Sequence, residues 1–241
     1  MPTSENLQLP ELAAALGHPV ERRRPGLEHI FLHDLLNTAA GLHVLARLFA
    51  DNTLPNAQLS ECKTLFADLT ANLIDDIQHQ RKLLQAERGE LELQIEPIPL
   101  QPFLQSLQRV CGSTIVGKNR RLLLIEPPDA VLCTDAVLLR RSLVNLIKNA
   151  AEATPPGGAI TLACNLTPGT AHFLVHNPGF MDASACQKIF RRPFTTKAGN
   201  DRGLGTYSVK LFVERYLNGH VHWTSSPSEG TVISFEIPSI Q

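Results

Sequence analysis

Two asparagines a helical turn apart, a histidine beside an aspartate, and glycines flanked by cations are the residues here that suit chemistry on phosphate. Asn145 and Asn149 share one face of the helical pattern Leu143-Val144-Asn145-Leu146-Ile147-Lys148-Asn149-Ala150-Ala151-Glu152-Ala153. Interior asparagines are mediocre helix formers. A pair on an otherwise apolar helix suits oxygen ligation of Mg2+, or else two hydrogen-bonded, partly buried amides. In Phe31-Leu32-His33-Asp34-Leu35-Leu36-Asn37, Asn37 follows His33 one turn on, along the same face. An exposed imidazole is a nucleophile toward phosphorus when an acceptor holds its other ring nitrogen, and Asp34 is the adjacent carboxylate. Alone, that pair more commonly means a solvated surface histidine.

Three further stretches follow in the chain. Val175-His176-Asn177-Pro178-Gly179 closes a strand-like run. Ile189-Phe190-Arg191-Arg192-Pro193-Phe194-Thr195-Thr196-Lys197 leads into Gly199-Asn200-Asp201-Arg202-Gly203-Leu204-Gly205-Thr206 and then a helix. Glycines opening a helix beside Lys197 and Arg202 form a phosphate cradle of backbone N–H groups and positive charge. It is not a P-loop, because G-x-x-x-x-G-K-[ST] is absent. Glu229-Gly230-Thr231 precedes a final strand and reads equally well as a plain turn.

The elements that must carry these residues fall into two textures. Leu32, Leu35, Ala39, Leu42, Ala46 and Phe49 alternate steps of three and four, and Leu59, Cys62, Phe66, Leu69, Leu73 and Ile77 repeat the rhythm after a break at Asp51–Asn56. Two such helices make a hairpin whose seam stays half wet, so pairing into a four-helix bundle, a homodimer, is expected. Beyond Arg88-Gly89, strands are expected at Glu90–Ile95, Leu122–Ile125, Ala159–Asn165, His172–Val175, Val221–Thr224 and Thr231–Ile237. Helices are expected at Pro102–Val110, Asp135–Ala153, Ser184–Phe190 and Tyr207–Leu217. The fold class is thus α+β: an antiparallel helical hairpin over 26–88, then an α/β sandwich over 89–241 with one sheet covered by helices. Residues 1–25 form a leader with a short helix near Glu11–Leu16, closed by Pro25-Gly26.

The totals narrow the function class. The 241 residues are 43% apolar and 19% charged, with a formal net charge of -1. Those values argue against disorder and give no reason to expect nucleic acid or an anionic membrane as partner. No apolar run is long enough to span a bilayer, and Pro10 and Glu11 interrupt any export signal. The five scattered cysteines read as reduced thiols, so a cytoplasmic protein is expected.

Taken in order, these stretches resemble the H, N, G1, F and G2 boxes and terminal Gly-Thr of the sensor histidine kinases of two-component systems. The resemblance runs from about residue 27 to 238 and is most specific in Phe190–Lys197 and Arg202–Gly205. It implies a dimerisation and histidine-phosphotransfer hairpin followed by a Bergerat-type ATP-binding domain of the GHKL class, with ATP and Mg2+ as cofactors. His33 matches the phosphoacceptor, Asp34 its acidic neighbour, and Asn37 the position that helps place water when the response regulator is dephosphorylated. Asn149 matches the Mg2+ ligand and Asn145 the other amide near the phosphates. Asn177 and Gly179 match the adenine-binding G1 box. Phe190 and Phe194 match the aromatic pair of the ATP lid, while Thr196, Lys197, Arg202, Gly203, Leu204, Gly205 and Thr231 match positions lining the nucleotide. The implied partners are a second copy of the chain, a response regulator receiver domain, and a separate sensor protein as a route for input.

Two departures bear on that reading. The usual G1 box is Asp-x-Gly-x-Gly; here it runs Asn177-Pro178-Gly179-Phe180-Met181. Asn177 still accepts through its carbonyl oxygen, but losing the charge weakens ATP binding by about 1 kcal/mol, less than tenfold. Lys148 stands before Asn149 where many relatives have glutamate. Two alternatives therefore stay in view: a degenerate kinase acting as a dimeric phosphotransfer or scaffold protein, and an ATPase or protein-serine kinase of the same superfamily. His220 and His222, alternating on a strand, are metal-ligand candidates or ordinary surface histidines.

Overall fold

A computed structural model describes residues 27–51, 56–116, 119–182, 184, 186, 189–190 and 204–239. The expected leader, with its short helix, lies outside the described residues. Two long helices open the fold, α1 (Leu27–Ala50) and α2 (Asn56–Arg88). They are antiparallel, with Phe49 edge-on to Phe66 at 5.7 Å between ring centroids. On the expected stripes, Leu42, Phe49, Leu59, Cys62, Phe66, Leu69 and Leu73 are half-buried, while Ala39, Ala46 and Ile77 are exposed. Two helices have too little surface to enclose a seam, which fits the partial burial.

The rest is built on a five-stranded sheet. In chain order come β1 (Ile95–Pro99), α3 (Leu100–Val116), β2 (Arg121–Leu124), β3 (Val131–Asp135), α4 (Ala136–Ala153), β4 (Ala159–Thr167) and β5 (Thr170–Asn177). Then follow α5 (Leu204–Lys210), continued by a π-helical stretch at Leu211–Tyr216, β6 (His220–Ser226) and β7 (Gly230–Pro238). The main sheet has the order β2-β4-β5-β7-β6, antiparallel except where β2 runs parallel to β4. β1 and β3 pair separately, antiparallel. Alternation along β5 and β7 puts Phe173, Val175, Phe235 and Ile237 into the core with Leu139, Leu143, Leu146 and Ile147 of α4. Phe173 and Phe235 face each other in register, their centroids 5.1 Å apart.

Three expected elements need correction. The strand expected over Glu90–Ile95 begins only at Ile95. Residues 90–94 form a link, and the Gln94 N–H donates to Asp135 Oδ2 at 3.0 Å. β3 was not anticipated: Val131–Asp135 is short and interrupted by Cys133 and Thr134, with no clean period of two. Asp135 is the N-cap of α4, not its first residue, and its Oδ1 accepts from the N–H groups of Val137 and Leu138 at 3.0 and 2.9 Å. The helix expected at Tyr207–Leu217 begins at Leu204 and changes to π geometry at Leu211.

Candidate nucleotide site

The site is assembled where the end of α4, the end of β5 and the start of α5 converge. The apolar residues of α4 pin it to the sheet, so Asn145 and Asn149 emerge on its other side, both half-buried. Asn145 Nδ2 donates to Ser208 Oγ at 3.0 Å, and that hydroxyl donates to the Gly205 carbonyl at 2.8 Å. A Cβ at Gly205 would lie 3.6 and 3.7 Å from the two amide atoms of Asn149. Asn145, Asn149 and Gly205 are thus brought together, from positions sixty residues apart.

Asn149 carries the informative irregularity. Its Nδ2 is buried without a hydrogen-bond partner. Leaving such a group unpaired costs about 1–3 kcal/mol. A buried amide facing the opening of a glycine-led helix fits a triphosphate with its cation, Oδ1 being a hard oxygen ligand for Mg2+. Among the described residues, no group of three or more His, Cys, Asp or Glu is placed to hold a metal ion. That includes His222 and His172, which flank Glu236 at 3.8 and 3.4 Å on the exposed sheet face.

Against the end of α4, at Ala153, lies a compact polar knot. Asn177 is 4% exposed and donates through Nδ2 to the Gly179 carbonyl at 3.1 Å. That carbonyl also accepts from Thr231 Oγ1 at 2.7 Å, and Ser225 Oγ lies 2.9 Å from Thr231 Oγ1 and accepts the Met181 N–H at 2.8 Å. The donor end of Asn177 is therefore spent on the loop, which leaves the carbonyl end to accept from a base. Glycine is required here for space. A Cβ at Gly179 would sit 2.2 Å from the Ala153 carbonyl oxygen, and one at Gly230, where φ is +75°, 2.2 Å from the Asn177 carbonyl oxygen. The Gly230-Thr231 pair, which follows a turn at 227–229, packs against the Asn177–Gly179 loop.

Phe190 is 7% exposed and packs against Trp223, ring centroids 4.7 Å apart. Thr206 Oγ1 donates to the Ile189 carbonyl. The start of the expected lid is thereby fastened to β6 and α5. Phe194, Thr196, Lys197, Arg202 and Gly203 lie outside the described residues. Leu204 opens α5, its side chain outside them. His33, Asp34 and Asn37 fall in α1, and the same holds for their side chains.

A second polar group, which the sequence reading missed, lies where α2 meets α4. Asp75 faces both Arg141 Nη1 and Lys148 Nζ at 3.9 Å. His79 is edge-on to Phe212, centroids 6.0 Å apart, and its pKa is lowered to about 4, first by burial and then by the Arg141 charge. Tyr216 Oη donates to the Ala86 carbonyl at 2.7 Å and Tyr207 Oη to Glu87 at 3.0 Å. Nothing in the spacing of Asp75 or His79 marks them, because their partners lie more than sixty residues away. All five cysteines are free; burial raises the Cys111 thiol and pushes Cys164 up to about 12. Cys164 in particular stays a protonated, unreactive thiol at neutral pH.

Comparison with known proteins agrees with this geometry. Residues 134–241 match the family described as histidine kinase-, DNA gyrase B-, and HSP90-like ATPase, so the half bearing the site is a domain of that ATPase class. The chain is 29% identical over 175 residues to sensor protein DivL of Caulobacter vibrioides, covering 71% of this chain and 22% of DivL. It is 33% identical over 221 residues to the adaptive-response sensory kinase SasA of Synechococcus elongatus, covering 86% of this chain and 57% of SasA. Its fold matches histidine kinase ThkA in complex with response regulator protein TrrA at a TM-score of 0.59 and 19% identity, over 98% of this chain and 68% of that one. Residues 134–241 are thus a domain of that ATPase family, and the chain is similar over most of its length to sensor histidine kinases. It spans about a fifth of DivL and just over half of SasA. Among the described residues, no helix is long and apolar enough to cross a membrane.

Proposed function

We infer that this protein binds Mg-ATP between α4 and the knot at Gly179 and phosphorylates its own His33, passing the phosphoryl group to an aspartate of a response regulator receiver domain. The observation that carries the reading is the convergence of Asn145, Asn149 and Gly205 around a buried amide with no protein partner. Asn177 would receive the adenine amino group at its carbonyl oxygen, with Thr231 and Ser225 fixing the loop. The Asn149 oxygen would hold Mg2+, which supplies neutralisation of phosphate charge. Arg202 and Lys197 would add charge along the triphosphate, and the backbone of Gly203, Leu204 and Gly205 its N–H donors.

In the transfer, a ring nitrogen of His33 forms a bond to the γ-phosphorus as the bond to the β,γ-bridging oxygen breaks, releasing ADP. Asp34 would accept a hydrogen bond from the other ring N–H and stabilise the positive charge that develops on the imidazole. Catalysis is mostly positioning, as is usual for phosphoryl transfer. The side of α1 and α2 left open by Leu36, Val44, Ile74 and Ile77, 45–68% exposed, is the surface on which a second copy would close the bundle. Asn37 would place water for dephosphorylating the regulator. ThkA, whose structure includes a response regulator, supports the choice of partner.

A second reading follows from the Asn177 and Met181 positions: a dimeric phosphotransfer or scaffold protein with weak or no ATP binding. One pair of measurements separates the two. Titration with a fluorescent ATP analogue is expected to show saturable, Mg2+-dependent binding, and incubation with γ-labelled ATP an acid-labile, base-stable label. Weak or absent binding without label, in a dimer, would favour the scaffold; saturable binding without label would also end the kinase reading.

A further inference from the structure

The point where the ATPase half touches the hairpin lies at a particular height. Gly41 of α1 sits opposite Leu69 of α2, whose Cδ1 is 3.7 Å from a Cβ built there. Antiparallel helices advance equally, at about 1.5 Å per residue. Six residues on from Leu69, Asp75 is therefore level with Leu35, two residues or about 3 Å of rise from His33. The same Asp75 faces Arg141 and Lys148, which flank the nucleotide asparagines on α4: Arg141 one turn before Asn145, Lys148 next to Asn149.

We propose that Asp75 is a positioning residue, which engages Arg141 and Lys148 to align the nucleotide-bearing helix α4 at the height of His33. The proposal rests on the kinase reading above. The chemistry of the contact suits a reversible alignment better than a permanent joint. Asp75 and Lys148 are about half exposed, so their pair is weak and screened. Arg141 is the dominant member, its side chain 11% exposed and its Nε buried without a partner. Asp75 supplies it with a carboxylate at 3.9 Å and a carbonyl oxygen at 3.5 Å. Gln80 Nε2, Ser142 Oγ and His79 Nε2 nearby are also buried without partners. These unpaired groups make the polar contact around Asp75 inexpensive to open, while Leu83 and Ala86 hold the end of α2 in the core. The contact also explains why lysine at 148 is useful: a glutamate there would repel Asp75, and the cation links the two halves.

The test compares wild type with Asp75→Asn and Asp75→Glu in the whole chain. Asp75→Asn is expected to slow the maximal rate of His33 labelling about 3- to 10-fold, with the affinity for a fluorescent ATP analogue unchanged. Asp75→Glu, which keeps the charge, is expected to restore most of the rate. Hydrogen exchange of α2 over 73–88 is expected to quicken in Asp75→Asn. An unchanged or faster labelling rate, or an equal loss of nucleotide affinity, would overturn the proposal. If wild type binds nucleotide but takes no label, the kinase reading fails. Exchange then decides the contact by itself: unchanged exchange in Asp75→Asn shows that Asp75 docks nothing.

Discussion

The wall around Gly179 and the seam of the hairpin are built on opposite principles. At the wall, two glycines let three chain segments approach until their carbonyls and hydroxyls satisfy one another, and Asn177 and Thr231 are each 4% exposed. Along the seam, Leu45 is the one described apolar side chain of α1 that is buried, while Ile74 and Ile77 remain open. The wall is complete within one chain and tolerates no added atom. The seam waits for more surface. On the kinase reading, affinity for nucleotide and delivery of phosphate are set in separate places, joined where α2 buries Leu83 and Ala86 in the common core and Asp75 adds a weak polar contact.

If the wall is as closed as its distances say, Gly230→Ala should be the most damaging small change. It adds a Cβ 2.2 Å from the Asn177 carbonyl oxygen at a positive φ. We expect a loss of about 3–4 kcal/mol in the stability of the ATPase half, read as a fall in its melting temperature and loss of nucleotide binding. Unaltered melting would show that the wall has slack.

The joint between the two regions should respond to acid. Free of the contact, the His79 ring titrates at the ordinary 6.5; docked, at about 4. The contact is therefore favoured above pH 6.5 and weakened progressively as pH falls toward 4, where the ring takes up a proton that burial opposes. Small-angle scattering between pH 7.5 and 4.5 should show the halves separating, and His79→Leu should flatten the response. A dependence that persists in His79→Leu would assign it elsewhere.

The open seam predicts a smaller effect that spares the wall. Ile74→Ser and Ile77→Ser should each weaken self-association by about 1–2 kcal/mol, seen by sedimentation, with nucleotide affinity unchanged. Association that survives both changes would place the dimer contact on another surface. Smallest of all is Asn177→Asp. The usual carboxylate would gain charge toward adenine but lose the bond to the Gly179 carbonyl and face that oxygen instead. We expect stability to fall by about 1 kcal/mol and ATP affinity to change less than tenfold, measured by calorimetry.

What the sequence disclosed follows the same division. Local signals carried the two hairpin helices, α3, α4, α5, the Asn145/Asn149 face and five of the strands, because period and spacing are properties of neighbours. The helix expected at Ser184–Phe190 lies largely outside the described residues and has turn geometry at Ile189 and Phe190. β3 escaped, being five residues without alternation, and β1 was placed early because residues 90–94 read as a strand but serve as the link to Asp135. Gly230-Thr231 read equally as a plain turn until Asn177 and Gly179 were seen against it. Asp75, His79 and Arg141 were silent: two half-buried charges and an imidazole on amphipathic helices have no local pattern, and their meaning comes only from the packing of α2 on α4.

The most direct test of the account is to incubate the whole chain with Mg2+ and γ-labelled ATP and locate the phosphate by mass spectrometry under alkaline conditions. The account predicts one phosphoramidate, on His33, absent from His33→Ala although that variant binds nucleotide as wild type does. Phosphate on another residue, or equal labelling of His33→Ala, would contradict it.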